Sequence, residues 1–151
     1  AALSVGHPSA YARAGWRQKL KGWYTLMFQL RGFAEWLLKA GNWWFFRGFT
    51  AYPEEFAHWR SVLERPGRLT AGINYYRANL GLILPQAWPK ARVPVCGIYS
   101  SGDRYLTEGQ MRDTARHVDG PFRYERIDGA NHWLQLHAPE KFNPLLLDCL
   151  R

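Results

Sequence analysis

Apolar and polar positions along the 151-residue chain change their period near residue 90. The opening "AALSVG" reads as the end of a buried strand, closed by Gly6 and Pro8. From Ser9 to about Pro89 the spacing is helical. "AYARAGWRQKLKGWYTLMFQL" carries apolar residues at helical intervals, and Gly32 loosens its end. A second helix starts at "YPEEFAHWRSVL", where Pro53 suits a first turn and Glu54 and Glu55 complement the helix dipole. Arg65-Pro66-Gly67 stops it, "LTAGINYYRANLGLI" begins another, and the proline-dotted "LPQAWPKARVP" is a linker.

Beyond the linker, "VPVCGIYSSGD" is a continuous apolar run ended by a turn, the pattern of a strand covered on both faces. "TEGQMRDTARHV" is amphipathic at helical period, with Thr107 as its expected N-cap. "FRYERID" alternates as a strand, and "APEKFNPLLLDCL" is a closing helix with proline in its first turn. Strand–helix–strand–helix makes a βαβ unit, so the fold class is α/β with a parallel sheet. Two doubly covered strands need neighbours. Those N-terminal strands are expected before residue 1, which makes this chain the C-terminal portion of a longer α/β protein.

Composition narrows the picture. With 47% hydrophobic and 21% charged residues the chain is a folded domain, not a disordered one. The aromatic share of 16%, with 8 Trp, suits a deep apolar pocket or a thick core. A net charge of +8 raises nucleic acid as a partner, but the basic residues are scattered and no nucleic-acid motif accompanies them, so a solvated basic face is preferred. Cys96 and Cys149 are the only cysteines, and Cys96 sits in an apolar run as a small buried thiol. A disulfide is not expected, which favours a reducing, cytoplasmic compartment. The five histidines do not recur at metal-ligand spacing. No apolar run reaches the roughly 18–20 residues of a membrane span. Association with a membrane surface is open to "WLLKAGNWWFFRGF" but not indicated; an amphipathic helix broken at Gly41 and facing its own protein is the better reading.

The chemistry gathers at two strand ends. Asp103 follows one strand and His132, in "RIDGANHW", follows the next, 29 residues later. Open α/β sheets place their sites at this carboxyl edge. A carboxylate there can hold an imidazole's tautomer while the other ring nitrogen handles a proton. Taken singly, each residue would pass for a turn residue; together they read as an acid–base pair. His7, in "VGHPS", reads as a turn residue and not as a second catalytic histidine.

"GIYSSGD" followed by "IDGANHWLQLHAPE" resembles the end of the α/β-hydrolase fold, in its epoxide hydrolase branch. "LSVGHPSAY" looks like the exit from a core strand into a helical cap, and "GWYTLMFQLRGFAEWLL" and "INYYRANL" look like the cap helices that carry ring-opening tyrosines. The resemblance implies residues 1–8 as the end of a core strand, 9–89 as the cap, and 90–151 as the C-terminal part of the core. It implies Tyr24 and Tyr76 as the tyrosines and Asp103 and His132 as the charge-relay acid and base, with no cofactor and no metal. The implied substrate is a small apolar epoxide or ester-like molecule. From spacing alone Tyr24, Tyr75 and Tyr76 are packing aromatics. Tyr75 and Tyr76 point about 100° apart on a helix, so at most one faces a site; the choice of Tyr76 comes from the family pattern.

The upstream motifs of the family have no counterpart. Asp103, Asp113, Asp119, Asp128 and Asp148 all lack the glycine frame of a nucleophile elbow, and so does every serine. The nucleophile is therefore absent from this chain and expected upstream. A haloalkane dehalogenase or a serine esterase on the same scaffold are the near alternatives, and a non-catalytic binding module derived from a hydrolase is an alternative of another class.

Overall fold

Val95–Ser100 forms β2, the middle of three parallel strands. The computed structural model describes residues 1–84 and 87–151. β1 (Ala2–Leu3) pairs with β2 at Ala2↔Gly97 and Leu3↔Ile98. β3 (Phe122–Ile127) pairs with β2 in unbroken register from Val95↔Phe122 to Ser100↔Ile127. Strand alternation then sorts the two faces. Cys96 and Ile98 face a cluster with Ile127, Leu134 and Phe142, to which α8 (Leu134–His137) and α9 (Pro139–Cys149) contribute. Gly97 faces the opposite way, where a Cβ would stand 2.6 Å from the Met111 Sδ. A side chain at 97 would thus push aside the Met111 side chain, which α7 (Glu108–Asp113) packs onto the sheet.

The chain divides into two compact units. The first comprises Ala1–Gly22 and Leu82–Arg151, and the second Trp23–Gly81. The first holds the sheet, α1 (Pro8–Arg13), α2 (Trp16–Lys21) and α7 to α9. The second is helical: α3 (Tyr24–Met27), α4 (Phe33–Thr50), α5 (Pro53–Leu63) and α6 (Arg68–Ala78). Its core is Met27, Phe28, Ala34, Leu38, Trp43, Phe46, Leu69 and Ile73. The backbone of α4 leaves helical geometry from Ala40 to Trp43, where Gly41, Asn42 and Trp43 all take positive φ. Trp43 tolerates this because its indole is buried in the core. Trp36 and Trp44 on the same segment are exposed, as are Trp16 and Trp23. No helix among the described residues is long and apolar enough to cross a membrane.

Two expectations need correction, and a third holds for the residue but not for its side-chain bond. The long helix read from Ala10 onward is three short ones, because Gly15 and Gly22 sit at the two ends of α2 and interrupt the ladder. Thr107 does occupy the N-cap of α7, yet its hydroxyl makes no capping bond and donates to the Gln18 Oε1 instead, at 3.0 Å. Cys96 is not a free thiol: it is disulfide-bonded to Cys149. β2 and α9 pack together, so residues 53 apart in sequence bring their sulfurs into one cluster. That pairing removes the ground on which a reducing compartment was favoured. Of the linker "LPQAWPKARVP", Pro85 and Gln86 lie outside the described residues.

One polar contact anchors the second unit. Arg77 grips Glu35 with both terminal nitrogens, at 2.8 and 3.1 Å, while its Nε donates to the Phe28 carbonyl at 2.8 Å. Glu35 also accepts the Gly32 N–H at the start of α4. The two side chains are only 10% and 17% exposed. The Arg77 hydrogen bonds hold the Glu35 carboxyl below its usual range, and burial opposes them only in part. A depressed folded pKa contributes stability above the unfolded value and loses it as pH falls through the folded one. Arg77→Ala should cost roughly 2–3 kcal/mol at neutral pH, somewhat less than breaking a fully buried pair. Urea denaturation across pH checks this: the gap between variant and parent should narrow as Glu35 becomes protonated.

Candidate active site

The two loops that leave β2 and β3 are sewn to each other by main-chain bonds. Ser101 N–H donates to the Ile127 carbonyl at 3.1 Å, and Gly102 N–H donates to the Ala130 carbonyl at 2.9 Å. Gly129 N–H donates to the Ser101 hydroxyl, and the Ser100 hydroxyl donates to the Asn131 carbonyl at 2.7 Å. Asn131 turns the chain by accepting the Trp133 N–H on its side-chain oxygen. Gly102 is required here for space. A Cβ would lie 2.6 Å from the Ala130 carbonyl oxygen, a backbone atom that cannot swing aside.

These stitches set Asp103 against His132. The Asp103 Oδ2 is 2.8 Å from the His132 Nδ1, and its Oδ1 accepts the N–H groups of Tyr105 and Leu106 at 2.8 and 2.9 Å. The carboxylate is fully buried, and the imidazole is 26% exposed. Burial alone would raise the Asp103 pKa; the His132 bond and charge and the two backbone donors outweigh it, so the pKa is held below the usual carboxylate range. An ionised Asp103 accepts from Nδ1–H, so Nε2 is the ring nitrogen turned away from the acid. Nε2 makes no hydrogen bond among the described residues. The edges of Tyr105 and Trp133 flank the ring at centroid distances of 4.9 and 5.0 Å. An acid-held imidazole with a basic nitrogen in reach of solvent can accept a proton from water.

Tyr24 and Tyr76 belong to the second unit and meet there edge to face, with ring centroids 5.7 Å apart. Both also pack against Phe28, while Tyr75 is exposed. The structure therefore brings together each expected pair, the carboxylate with the imidazole and one tyrosine with the other. His7 caps α1: its Nδ1 accepts the Ser9 N–H, and its Nε2 is 2.9 Å from the Pro89 carbonyl. Tyr105 was not singled out from sequence. A tyrosine two residues beyond an aspartate carries no signal until the loop folds. Among the described residues no three His, Cys, Asp or Glu side chains gather as a metal site.

A parallel sheet flanked by helices, with an acid and a histidine just past the ends of adjacent strands, has the architecture of the C-terminal part of the α/β-hydrolase fold. No family model matches the chain. A solved epoxide hydrolase of the α/β-hydrolase superfamily, from hot-environment metagenomes, superposes with a TM-score of 0.73 at 17% identity, over 97% of this chain and 56% of its own. In sequence the chain is 34% identical over 85 residues to epoxide hydrolase 3 of Xenopus tropicalis, covering 56% of this chain and 23% of that protein. It is 34% identical over 100 residues to epoxide hydrolase A of Mycobacterium tuberculosis, covering 64% and 31%. The matched part thus spans less than a third of either curated relative. The fold is that of α/β hydrolases, and the sequence is similar to the epoxide hydrolases among them.

Because Gly102 lets the two loops touch, Gly102→Ala should separate them. The expected cost is roughly 1–3 kcal/mol, the range for overpacking at a close contact. Thermal melts would measure it; a melting temperature equal to that of the parent would show that the loops adjust freely.

Proposed function

We propose that this chain is the cap and C-terminal core of an epoxide hydrolase that opens a small apolar epoxide to a diol. Residues 9–89 serve as the cap and 90–151 as core, with residues 1–8 ending a core strand. The observation that carries the reading is the 2.8 Å His132 Nδ1–Asp103 Oδ2 hydrogen bond at the carboxyl edge of the sheet.

An upstream aspartate attacks one epoxide carbon. The C–O bond breaks, and the oxygen takes up negative charge. Tyr24 and Tyr76 hold that oxygen by donating hydrogen bonds from their hydroxyls, without ionising themselves. The product is an alkyl ester of the enzyme. His132 Nε2 then takes a proton from water, and the resulting hydroxide adds to the ester carbonyl. The ester C–O bond breaks; the two diol oxygens take their protons from the carboxyl group just formed and from the His132 imidazolium, the diol leaves, and carboxylate and neutral imidazole are restored. Asp103 keeps the ring in the correct tautomer and stabilises the imidazolium. The aromatic content of the cap supports an apolar substrate. No cofactor or metal enters this scheme.

The two residue pairs should fail at different steps when substituted in the protein with its upstream half. Removing one oxyanion donor can cost roughly 10²-fold or more, so Tyr24→Phe with Tyr76→Phe should slow adduct formation steeply. His132→Gln should form the adduct and fail to hydrolyse it, and Asp103→Asn should do the same more weakly. Mass spectrometry after mixing with an epoxide reads both steps. Normal adduct formation by the double tyrosine variant, or no trapped adduct with His132→Gln, would sink the assignment. The 151-residue chain by itself, having no nucleophile in an elbow frame, should turn over no epoxide; measured diol production would contradict this.

A further inference from the structure

The loop that carries Asp103 is held at its other side by α2, more than 80 residues earlier in the chain. Lys21 Nζ donates to the carbonyls of both Asp103 and Leu106. Gln18 Nε2 donates to the Tyr105 carbonyl at 2.9 Å, and Gln18 Oε1 accepts the Thr107 N–H at 2.8 Å. The same oxygen takes the Thr107 hydroxyl at 3.0 Å. Gln18 is 2% exposed, so its amide is satisfied by protein partners, this loop and the Tyr11 hydroxyl. Four of the five loop positions from Asp103 to Thr107, all but Arg104, are thus bonded by two side chains one helical turn apart.

The carboxylate has no independent orientation. Its Oδ1 is aimed by the N–H groups of Tyr105 and Leu106, the residues whose carbonyls Gln18 and Lys21 bind. Moving those peptides rotates Asp103, and rotating Asp103 moves Oδ2 relative to His132. Nothing in an isolated loop would prevent this, since an Asx-type turn by itself is a weak constraint.

We infer that Gln18 and Lys21 are positioning residues, which act through the Tyr105 and Leu106 peptides to hold Asp103 on the His132 imidazole. Neither touches the reacting atoms. The inference rests on the epoxide hydrolase reading only for its kinetic consequence; its geometric content stands apart.

The test keeps the two separate. In the intact protein that carries this chain, proton NMR would follow the downfield Nδ1–H resonance of His132, assigned by its loss in His132→Gln. Gln18→Leu keeps the volume of the side chain and removes its bonds; Lys21→Met does the same for the ammonium. In either folded variant that resonance should disappear or broaden through exchange. Lys21→Arg should restore it. In turnover, hydrolysis of the covalent adduct should slow by roughly 10–100-fold, the range for a misplaced catalytic group, with adduct formation and KM little changed. Should Gln18→Leu fail to fold, Lys21→Met decides. A folded Lys21→Met or Gln18→Leu protein with the resonance intact and adduct hydrolysis at the parent rate overturns the inference. If the resonance responds as expected but no adduct is ever seen, the positioning stands and the epoxide hydrolase reading falls.

Discussion

The register between β2 and β3 is the constraint on which the site depends. Six consecutive pairs lock the strands, and the last, Ser100↔Ile127, brings both chains out at one edge. Because the strands are parallel, two residues 29 apart in sequence leave the sheet side by side. Slippage by a residue would turn every side chain to the opposite face and move Cys96 and Ile98 out of the cluster they share with Leu134 and Phe142. The apolar burial that fixes this register therefore also fixes where Asp103 and His132 stand.

A second constraint is electrostatic. A fully buried carboxylate is costly unless each lone pair that matters is answered. Asp103 receives two backbone N–H groups on one oxygen and an imidazole on the other. Those donors keep it ionised despite its burial, and an ionised acid is what orients a neutral histidine. The arrangement uses main-chain donors, so the pair depends on loop backbone more than on side-chain identity. That is why residues such as Gln18, which touch only the backbone of the loop, bear on the site.

The helical unit holds a largely buried ion pair in a similar manner. In the helical unit Arg77 closes α6 onto α4 through Glu35 and onto the end of α3 through Phe28. The Tyr24–Tyr76 contact lies in the same aromatic cluster, with Phe28 and Phe49 against Tyr24. Position in that cluster separates Tyr76 from its exposed neighbour Tyr75, a distinction that helical spacing predicted in kind without naming the residue.

Element order, the parallel sense of the sheet, and the placement of Asp103 and His132 just past adjacent strand ends were legible in the residues. Each follows from a period of two or 3.6 and from turn residues, which act between near neighbours in the chain. Tertiary structure alone decided the rest. It paired Cys96 with Cys149, drew the Thr107 hydroxyl away from its cap to Gln18, set Tyr105 against the imidazole, and brought the His7 ring to the Pro89 carbonyl. The cysteine and Thr107 contacts join residues 53 and 89 positions apart, and no local pattern records them. They arise because packing of whole strands and helices, driven by burial of apolar area, carries remote polar groups to positions where water is excluded and a partner must be found.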